Sequence, residues 1–134
     1  MEKTILIGGF GGQGVQTLGK LLAYTANEEE KRVTFAPAYG GEMRGGTSNC
    51  TVIISDSQIG SPTRQMLDIV VAMNVESFQK FEARVKPGGL LICNSSLVTQ
   101  KTVRTDITQL FLPANALAEE AGSDKTLNVV MLGF

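Results

Sequence analysis

Thr4-Ile5-Leu6-Ile7 is a short apolar run that ends in Gly8-Gly9-Phe10-Gly11-Gly12-Gln13-Gly14, and a helical pattern begins at Val15. A strand, a glycine turn and a helix in that order commit the N-terminal part of the chain to a β–α unit. Glycine lets the backbone turn where a side chain would collide. It also lets backbone N–H groups approach a ligand at the helix N-terminus, where the peptide dipoles leave partial positive charge. Gly9, Gly11 and Gly14 have the G-x-G-x-x-G spacing of dinucleotide-binding turns, a spacing that by itself is a weak signal.

The rest of the chain repeats the alternation. Val15, Leu18, Leu21, Leu22 and Ala26 lie on one face of a helix predicted from Val15 to about Glu30, the stripe of a helix packed on a sheet. Val33-Thr34-Phe35 reads as a short second strand that ends at Ala36-Pro37. Asn49–Ser55 alternates, with Cys50, Val52 and Ile54 on one face and Thr51 and Ile53 on the other. Asp68-Ile69-Val70-Val71-Ala72-Met73 is the continuous apolar run of a central strand covered on both faces. Asn74 is placed to cap a helix carrying Phe78, Phe81 and Val85, and Lys86-Pro87-Gly88-Gly89 reads as its stop and turn. Leu90–Cys93 and Gln109–Leu112 are further strands, and Ala114–Ala121 is a helix closed by Gly122. The expected class is α/β: a three-layer, Rossmann-like open sheet, mainly parallel, with helices on both faces. The 134 residues are enough for one domain with a real core.

What is missing narrows the chemistry. The chain has no histidine, which removes His-based acid–base catalysis, His metal ligation and any Ser-His-Asp or Cys-His centre. Its two cysteines, Cys50 and Cys93, each sit inside an apolar strand pattern and read as small buried hydrophobes. They cannot supply a four-thiolate iron–sulfur or zinc site. The net charge of −1 and scattered charges exclude the clustered Lys/Arg footprint of a nucleic-acid binder. Glu28-Glu29-Glu30-Lys31-Arg32 is mixed in sign and reads as a solvated helix end. No signal peptide is visible and no apolar run approaches the ~20 residues of a membrane span, so a soluble cytoplasmic protein is expected.

Two glycine segments hold what functional signal there is. The first has the phosphate half of a dinucleotide fingerprint but not the ribose half: Ala36-Pro37 stands where an acid should end the second strand. No Lys-Ser/Thr follows the last glycine, so a P-loop fits worse. The second, Tyr39-Gly40-Gly41-Glu42-Met43-Arg44-Gly45-Gly46, sets one acid and one arginine among four glycines. It serves either as a tight turn fixed by Glu42 and Arg44, or as a backbone that approaches a surface with Arg44 offered to a carboxylate or phosphate. Both segments would emerge at the carboxyl edge of the sheet, where open α/β folds bind ligands. Three readings remain open: a free-standing NAD(P)- or FAD-binding oxidoreductase, a ligand-free interaction module, and a subunit that shares its ligand with a partner.

Taken together, Gly9-Phe10-Gly11-Gly12-Gln13-Gly14-Val15 and Tyr39–Ser48 resemble the gamma subunit of 2-oxoacid:ferredoxin (acceptor) oxidoreductases. Ser61-Pro62, Asp68–Asn74, Gly88–Ile92 with Asn94-Ser95-Ser96, and Asn128-Val129-Val130-Met131-Leu132-Gly133 extend the resemblance over nearly the whole chain. The resemblance implies an enzyme that oxidatively decarboxylates a 2-oxoacid with coenzyme A to an acyl-CoA. It implies thiamine diphosphate, magnesium and iron–sulfur clusters on partner subunits, with no cofactor bound by this chain alone and no catalytic residue or metal ligand in it. The implied partners are alpha and beta, or alpha, beta and delta, subunits and a ferredoxin or other acceptor, with neither nucleic acid nor membrane. By the same resemblance Gly9, Gly11, Gly12, Gln13, Gly14 and Arg44 face coenzyme A or another anion. Tyr39, Glu42, Arg44, Gly45 and Gly46 face a partner. Residues 1–134 are expected to be one gamma-type domain, shortened at its C-terminal end relative to members that continue past the Asn-x-x-x-Leu-Gly helix.

Overall fold

Apolar runs too short for helices pair into a sheet, and the 3.6-periodic segments between them cover its faces. The computed structural model describes residues 2–10, 14–39, 47–60 and 65–120. Its elements are β1 (Glu2–Phe10), α1 (Val15–Glu28), β2 (Arg32–Tyr39), β3 (Thr47–Ser55), β4 (Leu67–Ala72), α2 (Val75–Phe81), β5 (Val85–Asn94), β6 (Thr108–Leu112) and α3 (Ala114–Glu120). The strands form a six-stranded sheet in the order β2-β3-β1-β4-β5-β6. β1, β4, β5 and β6 pair in parallel, while β3 pairs antiparallel with both β1 and β2. Only β3 therefore runs against the others.

Strand alternation sorts the core into two layers. Leu6, Val70 and Leu91 point to one face and pack with Phe78 and Phe81 of α2. Ile7, Cys50 and Val71 point to the other, under Val15 and Leu18 of α1 and Ala114 and Ala118 of α3. This is the expected three-layer α/β fold with helices on both faces. No helix among the described residues is long and apolar enough to cross a membrane.

Several boundaries differ from expectation; α2 stops at Phe81, so Val85, expected on its apolar face, instead opens β5 and pairs with Leu67. β1 runs on through Gly8 and Gly9 to Phe10, because both glycines are paired in the sheet, Gly8 with Asn49 and Gly9 with Ser48. β2 does not stop at Ala36-Pro37 but continues to Tyr39. It is an edge strand, where a missing N–H costs no ladder bond on the open side. α1 ends at Glu28, two residues before the expected Glu30, which adopts the left-handed region at φ 62°. Pro87-Gly88-Gly89 does not stop the chain either: it forms a bulge inside β5, between the pairs Leu67–Val85 and Ile69–Leu90. Gly88 there has φ +82°, and its N–H donates to the Asp106 carbonyl at 2.6 Å. Ala121, Gly122, Ser61-Pro62 and Asn128–Phe134 lie outside the described residues.

Candidate functional site

Sheet register brings the flanks of the two glycine segments together. Phe10, the last residue of β1, pairs with Thr47, and Gly9 pairs with Ser48. Tyr39, the last residue of β2, pairs with the same Ser48 from the other side. With strands about 4.8 Å apart, the two segments leave the sheet within about 10 Å of each other. Both leave at the carboxyl edge, β3 being the one strand that starts there.

The first segment returns to the fold at Gly14, the N-cap of α1, with φ 78° and ψ 22°. That left-handed conformation is one that glycine adopts without strain. α1 then sits very close to the sheet. A Cβ at Gly19 would lie 2.4 Å from Cys50 Sγ and 2.9 Å from the Phe35 ring. One residue that sequence reasoning did not single out fastens the helix in place. Gln16 Nε2 donates to Ser48 Oγ at 2.9 Å and to the Asn49 carbonyl at 2.8 Å. The side chain thus ties the first turn of α1 to the first residues of β3, joining the far flanks of both glycine segments. Its spacing carried no signal; the bond exists only because β3 is inserted beside β1.

Of the residues singled out from sequence, Gly9 is in β1, Gly14 caps α1 and Tyr39 ends β2. Gly11, Gly12, Gln13, Glu42, Arg44, Gly45 and Gly46 lie outside the described residues.

Two asparagines complete the edge. Asn74 follows β4 and caps α2: its Oδ1 accepts from Ser77 N at 2.9 Å. Met73 N donates to the Gly8 carbonyl at 2.8 Å, which sets Asn74 level with the end of β1. Asn94, at the end of β5, is wholly committed to structure. Its Oδ1 accepts from Ala114 N at 3.0 Å and Ser96 N at 3.2 Å, and its Nδ2 donates to Asn115 Oδ1 at 2.7 Å. Ser96 Oγ accepts from Asn115 N at 3.1 Å. Asn94 and Ser96 therefore cap α3.

Three ion pairs sit at the opposite edge. The ion pairs Lys31–Asp56, Asp68–Lys86 and Arg104–Asp106 all lie at the amino edge of the sheet or in the connections that enter it there. A cavity of about 360 Å³ lined by Lys3, Asp68, Lys86 and the β5 bulge lies at that amino edge too, away from the glycine segments. Among the described residues the carboxyl edge carries the polar side chains of Ser48, Gln16, Asn74 and Asn94, with the exposed Glu76 in the first turn of α2.

The cysteines do not fit a cluster. Both are fully buried, Cys50 in β3 facing α1 and Cys93 in β5 facing α2. Burial pushes the Cys50 thiol up to about 11, and burial also raises Cys93. Among the described residues no group of three or more His, Cys, Asp or Glu could hold a metal ion. The ribose half of a dinucleotide site is displaced as well. In that fold the second strand lies parallel beside the first, whereas here antiparallel β3 takes that place.

The class the fold defines is a doubly covered α/β domain in which two glycine segments leave one carboxyl edge on either side of β3. The chain belongs to the pyruvate ferredoxin/flavodoxin oxidoreductase family, whose model matches residues 4–134. It is 37% identical to a ketoisovalerate oxidoreductase subunit, VorA, of Methanothermobacter marburgensis over 132 residues, which is 98% of this chain. It spans 27% of that relative's length. The gamma subunit of a keto/oxoacid ferredoxin oxidoreductase from Geobacter sulfurreducens has a similar structure, with a TM-score of 0.83 and 31% identity over 99% of this chain and 73% of that one. The 2-oxoglutarate:ferredoxin oxidoreductase of Magnetococcus marinus, solved with 2-oxoglutarate, coenzyme A and succinyl-CoA bound, shares the fold. The TM-score is 0.89 and the identity 21%, over 98% of this chain and 23% of that one.

Proposed function

We propose that this chain is the gamma component of a 2-oxoacid:acceptor oxidoreductase that converts a 2-oxoacid and coenzyme A to an acyl-CoA. Its role is structural and on the coenzyme A side. The observation that carries this reading is the carboxyl edge itself, where the flanks of both glycine segments converge on the first residues of β3. Thiamine diphosphate, magnesium and the iron–sulfur clusters reside on alpha and beta, or alpha, beta and delta, partners. The buried, separated cysteines of this chain support that division of labour. Coenzyme A in the Magnetococcus marinus enzyme supports placing the same ligand class near this domain.

Co-purification tests the assignment. The tagged chain is expected to bring down its neighbours from native extract, and deleting its gene is expected to abolish CoA-dependent 2-oxoacid oxidation. A chain that purifies alone while acyl-CoA formation survives the deletion would sink the proposal. Within the assembled enzyme, Arg44→Ala should raise KM for coenzyme A by the equivalent of about 1.5–3 kcal/mol if its guanidinium meets a phosphate. An unchanged KM assigns Arg44 to the fold of its own loop.

A further inference from the structure

The sheet has two open edges, and only one of them is defended. β2 carries the exposed Arg32 and Pro37, a charge and a missing N–H of the kind that keeps other strands off an edge. β6 is Thr108-Gln109-Leu110-Phe111-Leu112, with neither charge nor proline. Leu110 is 37% exposed and Phe111 38%. Leu110 pairs with Ile92 and lies on the α3 face, whereas Phe111 pairs with Cys93 and lies on the α2 face. Apolar side chains on both faces are the mark of a strand inside a sheet, not at its margin.

The main chain of β6 is open on the same side. The Leu112 carbonyl accepts from Ser95 N at 2.8 Å and the Asp106 carbonyl from Gly88 N at 2.6 Å, both on the β5 side. Strand groups alternate in direction, so those of Leu110 also turn to β5, while the N–H and C=O of Gln109 and Phe111 turn outward. Among the described residues nothing pairs with these outward groups. The connections of the fold do not lead there either. α1 takes the chain from β1 to β2 over one face, and α2 takes it from β4 to β5 over the other, in opposite directions along the sheet. Both crossings therefore have the same hand. α3 lies on the α1 face, so a crossing of that hand from β6 leads back toward β5 and not outward.

We propose that β6 pairs antiparallel with β6 of a second copy of this chain, about a two-fold axis at Leu110, to give one continuous sheet. The strand is self-complementary in that register, as a two-fold contact requires. Gln109 and Phe111 of one copy stand opposite Phe111 and Gln109 of the other, and each such pair exchanges both of its N–H···O bonds through the outward groups. The two Leu110 residues meet at the axis as a non-hydrogen-bonded pair, with Cα atoms about 4.5 Å apart. Thr108 stands opposite Leu112, so the strands bring no charge against another. Antiparallel pairing turns the carboxyl edges of the two copies in opposite directions, which leaves each set of glycine segments open to its own partners. The inference is independent of the coenzyme A reading.

The test is the oligomeric state of the purified chain. An edge of five residues buries less than the about 1,200–2,000 Å² of a standard interface, so the association is read at high micromolar concentration. Sedimentation equilibrium should give twice the 14.3 kDa of one copy. Leu110→Lys and Leu110→Glu should each halve that mass with little change in melting temperature, because like charges then meet at the axis; mixing the two variants should restore it. Leu110→Cys should form a disulfide-linked dimer under oxidised glutathione, since the paired Cα atoms fall within disulfide reach. Val103→Cys, at a position 91% exposed and outside the strand, should not, and the fully buried Cys50 and Cys93 do not compete. A monomer at every concentration, or a Leu110→Cys variant that crosslinks no faster than Val103→Cys, overturns the proposal. A dimer that survives both charge variants overturns it too, because the copies then meet elsewhere. So does protection of the Gln109 and Phe111 amides from hydrogen exchange in the assembled enzyme but not in the isolated chain, which assigns the edge to a strand of another subunit.

Discussion

Gly8 shows how one residue can be read correctly as special and wrongly as a turn. Its neighbours make a glycine-rich segment, so sequence points to a loop; the structure puts it in β1, with α2 pressed against it. A Cβ there would sit 2.7 Å from Ser77 Oγ, 2.9 Å from Ser77 Cβ and 3.3 Å from the Phe81 ring. The glycine is required by a close approach between elements distant in sequence, which no local pattern reveals. Gly8→Ala should therefore destabilise the fold by about 1–3 kcal/mol, as overpacked cores do, measured by urea denaturation. Ser77→Ala should not relieve it, because Ser77 Cβ is itself too close, whereas Ser77→Gly should recover part of the loss. A Gly8→Ala variant as stable as the parent would show that α2 can shift without cost. Gly14 was legible for the opposite reason: its left-handed φ of 78° is a local demand, and a glycine just before an apolar stripe announces it.

Elements were legible where periodicity was strong and obscure where pairing decides. The helix from Val15 and the strand over Asp68–Met73 follow from their apolar patterns, to within two residues at their ends. The β5 bulge did not, because Pro87-Gly88-Gly89 has the composition of a stop and only the flanking partners, Leu67 and Ile69, keep it in the strand. The α3 cap is a similar case. Asn94-Ser95-Ser96 belongs to the segment that resembles the gamma family, yet its asparagine and second serine act on backbone N–H groups about twenty residues later. Replacing Asn94 by alanine leaves Ala114 N, Ser96 N and Asn115 Oδ1 without their partner. With Asn94 fully buried, the expected loss is about 3 kcal/mol. Ser96→Ala, which frees N–H groups that water can reach, should cost about 1 kcal/mol. Denaturation midpoints of the two variants check the order; equal losses would mean that α3 is held by Ala114 and Ala118 packing and not by its cap.

The assembled sheet holds what no segment announces, its strand order. Side-chain patterns say that a strand is buried, not which strand lies beside it, so the insertion of antiparallel β3 between β1 and β2 was invisible in sequence. That insertion decides much of the function. It sets the flanks of the two glycine segments against one strand end, and it occupies the place where a dinucleotide fold keeps its second strand. It also places Cys50 three strands from Cys93, about 14 Å at ordinary strand spacing, and on the opposite face. Two thiols so arranged, each with its ionisation suppressed by burial, cannot reach one cluster without unfolding the sheet between them. Anaerobic reconstitution of the purified chain with iron and sulfide should therefore leave no visible charge-transfer absorption and no stoichiometric iron after desalting. The assembled complex treated the same way should retain both. Stable iron on the isolated chain, with Cys50→Ser and Cys93→Ser abolishing it, would reverse the division of labour proposed for the subunits. Loss of the iron in neither variant would trace it to adventitious sites, and the division would stand on the buried thiols.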